Sequence, residues 1–138
     1  MAQPVTPAPD ALPPIPDCDP GAPPSVDALG LAPDACPERQ TGGRPEALAL
    51  LDSFLETRGV DYRKAMSSPL AGWDACSRLS PHLVWGTVSS REAAQALWAA
   101  KARVRAAGRD AHPSHAGSRK SFEGRLHWRC HFMQKLER

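Results

Sequence analysis

The stretch Cys76-Ser77-Arg78-Leu79-Ser80-Pro81-His82-Leu83-Val84-Trp85-Gly86 has the pattern of a loop that runs directly into a short helix. Ser80 is a residue type that caps helices, because its hydroxyl can accept a hydrogen bond from a free N–H of the first turn. Pro81 suits the first helical position, where its missing N–H removes no hydrogen bond. The stretch therefore predicts a helix that begins at Pro81 and ends at Gly86.

The loop before this helix predicts an anion-binding site. Cys76 and Ser77 are small polar residues, and Arg78 carries a planar guanidinium that matches phosphate oxygens. The free N–H groups and the positive end of the helix dipole favour a negative charge at the same place. The alternative is a structural loop in which Arg78 pairs with a nearby carboxylate.

Upstream of this loop, apolar residues recur at the three- and four-residue spacing of a helix. Pro45 and Glu46 suit its first turn, and Gly59 is expected to end it. A short turn from Tyr62 to Met66 and a loop from Ser67 to Asp74 would then connect it to the anion-binding stretch. The apolar positions of this helix are Ala47, Leu48, Leu51, Phe54 and Leu55.

Downstream, Ser89-Ser90-Arg91-Glu92 is a capping-box pattern that predicts a helix to about Ala107. Residues 108–118 read as a polar loop, and a last helix is expected from about Ser118 to the C-terminus. Its apolar residues are Phe122, Leu126, Met133 and Leu136. No segment alternates with a period of two, so the predicted fold class is all-α.

Composition divides the chain near residue 43. Residues 1–45 hold 12 of the 15 prolines, which predicts an extended or disordered segment. Residues 1–43 carry a net charge of −5 and residues 44–138 a net charge of +7. The positive part suits a polyanion such as nucleic acid or a dinucleotide, although a solvated basic surface would look the same.

Several classes of protein and site are disfavoured by the sequence. The four cysteines are widely spaced and follow no secretory signal, so reduced thiols in the cytoplasm are expected. No apolar run is long enough to cross a membrane. His127 and His131 lie four residues apart beside Cys130, but no spacing supplies further ligands, so no metal site is predicted.

Four sequence blocks together resemble the photolyase/cryptochrome family. The stretch from Cys76 resembles the family's T-S-R-L-S-x-x-L-x-x-G loop, which holds the diphosphate of FAD. Residues 42–48 with Tyr62-Arg63 are similar to the family's opening helix and the tyrosine after it. Residues 89–92 resemble its LSPR turn, and residues 122–132 resemble its W-L-x-E-L-x-W-R-x-F helix. The blocks follow the family's order and cover roughly residues 42–138.

The resemblance implies that residues 44–138 are the first part of the family's helical FAD-binding domain, preceded by a Pro-rich linker at 1–43. The family's antenna domain and the rest of its flavin pocket have no counterpart here, so we expect a fragment that is inactive alone. In an intact relative, excited reduced FAD would donate an electron to a pyrimidine lesion in DNA and so repair it. FAD is the implied cofactor and damaged DNA the implied partner.

The resemblance also implies roles for ten residues. Trp128 would face the DNA lesion, as would Arg125, while Tyr62, Phe122 and Arg129 would lie against FAD. A structural role for Tyr62 or Trp128, packing on its own helix, remains an alternative. The implied cofactor-binding residues are Tyr62, Cys76, Ser77, Arg78, Leu79, Ser80, Phe122 and Arg129.

Arg125 departs from the family pattern, which commonly has a glutamate that contacts the lesion. A guanidinium reverses the charge and removes any acid role, which favours a divergent repair enzyme or a cryptochrome-like photoreceptor without repair. A further alternative is a basic helical module that binds DNA or a protein without FAD.

Overall fold

A computed structural model describes residues 2–19, 21–33, 36–108 and 112–136. The described residues contain six α-helices and one 3-10 helix, with no strand, so the all-α prediction is confirmed for them. The helices are α1 (Arg44–Glu56), α2 (Tyr62–Ala65), α3 (Gly72–Ala75), α4 (Ser80–Val84), α5 (Ser90–Ala106) and α6 (Pro113–Leu136), with the 3-10 helix at Arg58–Asp61.

The two long helices α5 and α6 pack against each other, and α5 also packs against α1. The 3-10 helix and α2 lie against α6. Burial of apolar side chains between these elements supplies the main stabilising free energy of the helical unit. Its largest buried apolar side chains are Leu51, Phe54, Leu55, Tyr62, Leu79, Val88, Leu97, Phe122 and Leu126.

The start of α5 follows the predicted capping box. The Ser89 hydroxyl accepts a hydrogen bond from the Glu92 N–H at 3.1 Å, and Glu92 Oε2 accepts from the Ser89 N–H at 2.8 Å. Arg44, at the first residue of α1, donates to Glu92 Oε1 at 2.5 Å. One carboxylate therefore closes the capping box and ties α1 to α5.

The end of α1 differs from its prediction. The helix ends at Glu56, and Gly59 lies in the 3-10 helix instead of ending α1. A Cβ at Gly59 would lie 2.5 Å from the Phe54 carbonyl oxygen and 2.8 Å from its ring. Gly59 is therefore required by close packing, and not by the left-handed backbone of a helix stop. The predicted loop 67–74 also contains the start of a one-turn helix, α3.

The capping role predicted for Ser80 is wrong. The Leu79 carbonyl already accepts from the Leu83 N–H at 2.9 Å, so the first turn begins one residue earlier. Ser80 is the first residue of α4, and its side chain makes no capping hydrogen bond. Gly86, with φ of +70°, follows the end of this helix at Val84 as its pattern suggested.

The last helix begins at Pro113, five residues before the predicted start at Ser118. Two polar residues of the predicted loop 108–118 are buried: His115 and Ser118 are each 1% exposed, and Arg119 after them is 5% exposed. Because these residues are polar, the sequence pattern did not indicate that they lie on an inward-facing turn of the helix. Of the apolar residues predicted on this helix, Phe122 and Leu126 are buried, while Met133 and Leu136 are exposed. The predicted loop residues 109–111 and the last two residues lie outside the described residues.

Residues 6–40 form a separate unit without helix or strand among its described residues. Its described side chains are almost all exposed, and its residues 26–30 form a turn in which the Leu31 N–H donates to the Val26 carbonyl at 3.1 Å. The predicted Pro-rich linker at 1–43 covers this unit. In the described part of the chain, no helix combines the length and the apolar character that crossing a membrane requires.

Candidate functional site

The predicted anion-binding segment is a loop between α3 and α4 with an unusual backbone. Arg78 has φ of +61°, a left-handed conformation that costs free energy for a residue other than glycine. Leu79, the next residue, is 1% exposed and anchors the loop in the core. Ser77 is half-buried and Ser80 is exposed. The loop is therefore held firmly on one side and open to solvent on the other.

Arg58, which the sequence analysis did not single out, fastens this loop to α1. Its Nη1 donates to the carbonyl oxygens of Asp74 and Cys76, each at 2.8 Å. Its Nε donates to Ser53 Oγ at 2.8 Å, and its Nη2 donates to the Leu50 carbonyl at 3.1 Å. Partial burial, followed by repulsion from Arg78, lowers the pKa of the guanidinium, which nevertheless stays charged.

Arg78 was expected to converge with the serine hydroxyls, but the structure places its guanidinium over the ring of Trp73. The guanidinium carbon lies 3.5 Å from the ring centroid, which is a cation–π contact. Arg78 and Cys76 do not line the cleft beside the loop. Cys76 is half-buried against the core, and its carbonyl is engaged by Arg58.

A cleft of about 430 Å³ lies between this loop, α4 and α6. Seven of the ten residues singled out from the sequence line it, although they come from segments far apart in the chain. Those seven are Tyr62, Ser77, Leu79, Ser80, Phe122, Arg125 and Arg129, and the cleft is completed by Leu83, Val84 and Leu126. We refer to this site as the loop cleft.

The loop cleft combines an apolar wall with positive charge. Among the described residues, its two charged lining residues are both arginines, Arg125 and Arg129, and no described carboxylate lines it. Arg129 is held in place because Nη1 donates to Ser90 Oγ at 3.1 Å and Nη2 to the Leu83 carbonyl at 3.2 Å. A guanidinium has five N–H donors, so others remain for an anion.

Tyr62 supplies a neutral hydroxyl to the loop cleft. Burial raises the pKa of this phenol, and the positive charge of Arg125 opposes part of that shift. The hydroxyl is therefore protonated near neutral pH and can donate a hydrogen bond.

Phe122 belongs to the core and also lines the loop cleft. The side chain is 4% exposed, and its ring centroid lies 4.8 Å from that of Phe54 and 6.3 Å from that of Tyr62. These edge-to-face contacts stabilise the rings beyond the area they bury. They also fix the position of the cleft's aromatic wall.

Trp128 lies outside the loop cleft. It lines a separate surface depression with His127 and His131, is 57% exposed, and contacts Phe132 with ring centroids 5.7 Å apart. Among the described residues, no group of three or more His, Cys, Asp or Glu side chains could hold a metal ion.

Sequence patterns gave no signal for Arg58 or Trp73. The acceptors of Arg58 lie up to 18 residues away, and the partner of Trp73 is an arginine in an irregular loop. Leu83 and Leu126 have the apolar spacing of a core, which does not distinguish cleft-lining positions from interior ones. Comparison of the chain with family models, curated proteins and solved structures yields no match.

Proposed function

We propose that residues 44–138 are the first part of a photolyase/cryptochrome-type FAD-binding domain, and that the loop cleft binds the diphosphate part of FAD. The observation that supports this is the convergence of seven residues, chosen from sequence resemblance, on one cleft of about 430 Å³. Their positions in the sequence run from 62 to 129, so no short-range pattern would bring them together.

The chemistry of the loop cleft suits a phosphate-bearing ligand with an apolar or aromatic part. Arg125 and Arg129 offer guanidinium donors, and charged donors form the stronger hydrogen bonds to phosphate. Ser77 and Ser80 add hydroxyls. Leu79 and Phe122 form an apolar wall, as is usual in cofactor sites.

The cation–π contact of Arg78 gives it a part in the proposed site that differs from the one expected. Its guanidinium covers one face of the Trp73 ring. The positive charge of this guanidinium adds to the positive electrostatic potential around the loop. The loop's backbone conformation, and not that guanidinium, then sets where Ser77 and Ser80 stand relative to the ligand.

When bound, FAD would supply light-driven electron transfer, which is the chemistry the resemblance implies. The chain's own residues bind and orient: Arg129 neutralises phosphate charge, and the Tyr62 hydroxyl donates a hydrogen bond. DNA with pyrimidine lesions is the proposed partner of an intact relative, with Arg125 and the exposed Trp128 as contacts, since aromatic side chains stack on unpaired bases. A cytoplasmic location is part of the same proposal.

The test is a titration of the purified chain with FAD, followed by quenching of flavin fluorescence. Arg129→Gln should weaken binding by about 10- to 150-fold, since a hydrogen bond from a charged donor is worth about 1.5–3 kcal/mol. Arg103→Gln is the matched control, because Arg103 is exposed and pairs only with Glu56 among described carboxylates. No saturable binding, or equal affinities for both variants, would reject the proposal.

The second candidate, a cryptochrome-like photoreceptor, is favoured by the position of Arg125 in the loop cleft, where a carboxylate would be expected for repair. Light-dependent restoration of an ultraviolet-irradiated oligonucleotide by an intact relative that carries this segment separates the two functions, since the fragment is expected to be inactive alone. Arg125→Glu is the informative variant: recovery of repair would show that the guanidinium is what suppresses it.

A further inference from the structure

A second surface cleft has a volume of about 370 Å³. One side of it is formed by the 3-10 helix and α2, and the other side by the first turns of α6. It shares no lining residue with the loop cleft. It is lined by Val60, Arg63, Lys64, Ser114, Gly117 and Ser118. We refer to it as the α2–α6 cleft.

The two walls of the α2–α6 cleft are joined by Ser118. Its buried hydroxyl accepts a hydrogen bond from the Arg63 N–H at 3.1 Å and donates to the Val60 carbonyl at 2.8 Å. The backbone that carries Arg63 is thereby fixed against α6. The position of the cleft is set by a buried polar contact and does not depend on surface side chains alone.

The Arg63 side chain lies across α6 beside Gly117. A Cβ at this position would lie 3.4 Å from Arg63 Nη1 and 3.6 Å from its Cδ, which are ordinary van der Waals distances. The guanidinium of Arg63 is therefore packed on the surface of α6 at the α2–α6 cleft.

No carboxylate of the described residues neutralises the positive charge of the α2–α6 cleft. Arg63 and Lys64 are exposed, and neither forms an ion pair with a carboxylate of the described residues. No carboxylate is among the described lining residues, and Ser114 adds a hydroxyl. The Ser114 N–H at the start of α6 already donates to His112 Nδ1 at 3.3 Å, so the side chains and not that amide provide the donors.

We propose that the α2–α6 cleft binds a phosphate group, either as inorganic phosphate or as a phosphate monoester. The Arg63 guanidinium matches two phosphate oxygens at once, the Lys64 ammonium supplies a second positive charge, and the Ser114 hydroxyl can donate to a third oxygen. This site is independent of the proposed FAD site.

The test is isothermal titration calorimetry of the full chain with inorganic phosphate and, separately, with glycerol 3-phosphate, at constant ionic strength set by chloride. Saturable binding of at least one is expected, and the tighter of the two identifies the source of the phosphate group. Arg63→Gln should weaken it about tenfold, from the loss of a charge-assisted hydrogen-bonded contact.

Thermal melts of the variants separate binding from folding, since Arg63 is exposed and its replacement should leave the fold stable. Arg103→Gln is the matched control, because it also removes one exposed guanidinium but lies outside the α2–α6 cleft, and it should bind phosphate as the unaltered chain does. Absence of saturable binding, equal affinities for Arg63→Gln and Arg103→Gln, or a loss on Arg129→Gln with none on Arg63→Gln would each overturn the proposal.

Discussion

Replacing Arg58 by methionine would remove four hydrogen bonds while keeping a side chain of similar length. Two of the acceptors are partly buried carbonyls, those of Cys76 and Leu50, which would lose a partner that water replaces only incompletely. The Ser53 hydroxyl is also partly buried, but it keeps its own hydrogen bond to the Leu50 carbonyl. The Asp74 carbonyl is exposed and would be rehydrated. The effect should therefore fall mainly on the loop that carries Ser77 and Arg78.

The expected loss follows from these contacts. A hydrogen bond from a charged donor contributes about 1.5–3 kcal/mol, so two partly buried ones account for about 3–6 kcal/mol before any offset. Methionine relieves the cost of burying part of a guanidinium, the same burial that lowers the Arg58 pKa. We expect a net decrease of about 2–4 kcal/mol in the free energy of unfolding.

Urea denaturation followed by far-ultraviolet circular dichroism measures this loss. Arg103→Met serves as the control, since its exposed ion pair with Glu56 should be worth about 1 kcal/mol or less. If Arg58→Met costs no more than Arg103→Met, Arg58 does not anchor the loop and the reasoning fails.

Two further predictions concern α1 and its contacts. Gly59→Ala should lower the free energy of unfolding by about 1–3 kcal/mol, because its Cβ would overlap the Phe54 carbonyl oxygen, and a thermal melt unchanged from the original chain would contradict this close packing. The hydrogen bond from Arg44 holds the pKa of Glu92 at about 2, below its ordinary 4.5. The stability that the ionised Glu92 carboxylate provides is therefore fully present above pH 4.5 and is lost as pH falls towards 2. Denaturation at a series of pH values should show a weaker dependence over that range in Glu92→Gln, and an unchanged dependence would assign it to other carboxylates.

Regular local patterns predicted much of the fold. The Ser89–Glu92 capping box and the spacing of Ala93 and Leu97 located α5, because capping and amphipathic periodicity act within a few residues. The start of α6 was predicted too late because its first residues are polar. One of them, Ser118, is buried and donates a hydrogen bond to the backbone of a distant segment. A polar residue satisfied by tertiary contacts cannot be distinguished in sequence from one in a loop.

The sequence predicted which residues line the candidate site better than it predicted how their side chains are arranged. Tyr62 and Arg129 were named from the family resemblance, and Ser77 also from the chemistry of its loop, and all three line one cleft. The side chain of Arg78 points to Trp73 instead, since a left-handed backbone at that position redirects it. Such a conformation depends on Arg58 and the buried Leu79, which act across the fold.

The exposed apolar side chains near the end of α6 imply a gradient of local stability along one continuous helix. Around Phe122 and Leu126, an amide can exchange its hydrogen only after the core opens, whereas Met133 and Leu136 are exposed and have little tertiary structure to disrupt. The last two turns should therefore exchange with deuterated water far faster than the middle turns. We therefore expect the protection of α6 amides from hydrogen exchange to decrease gradually over several residues towards its C-terminal end.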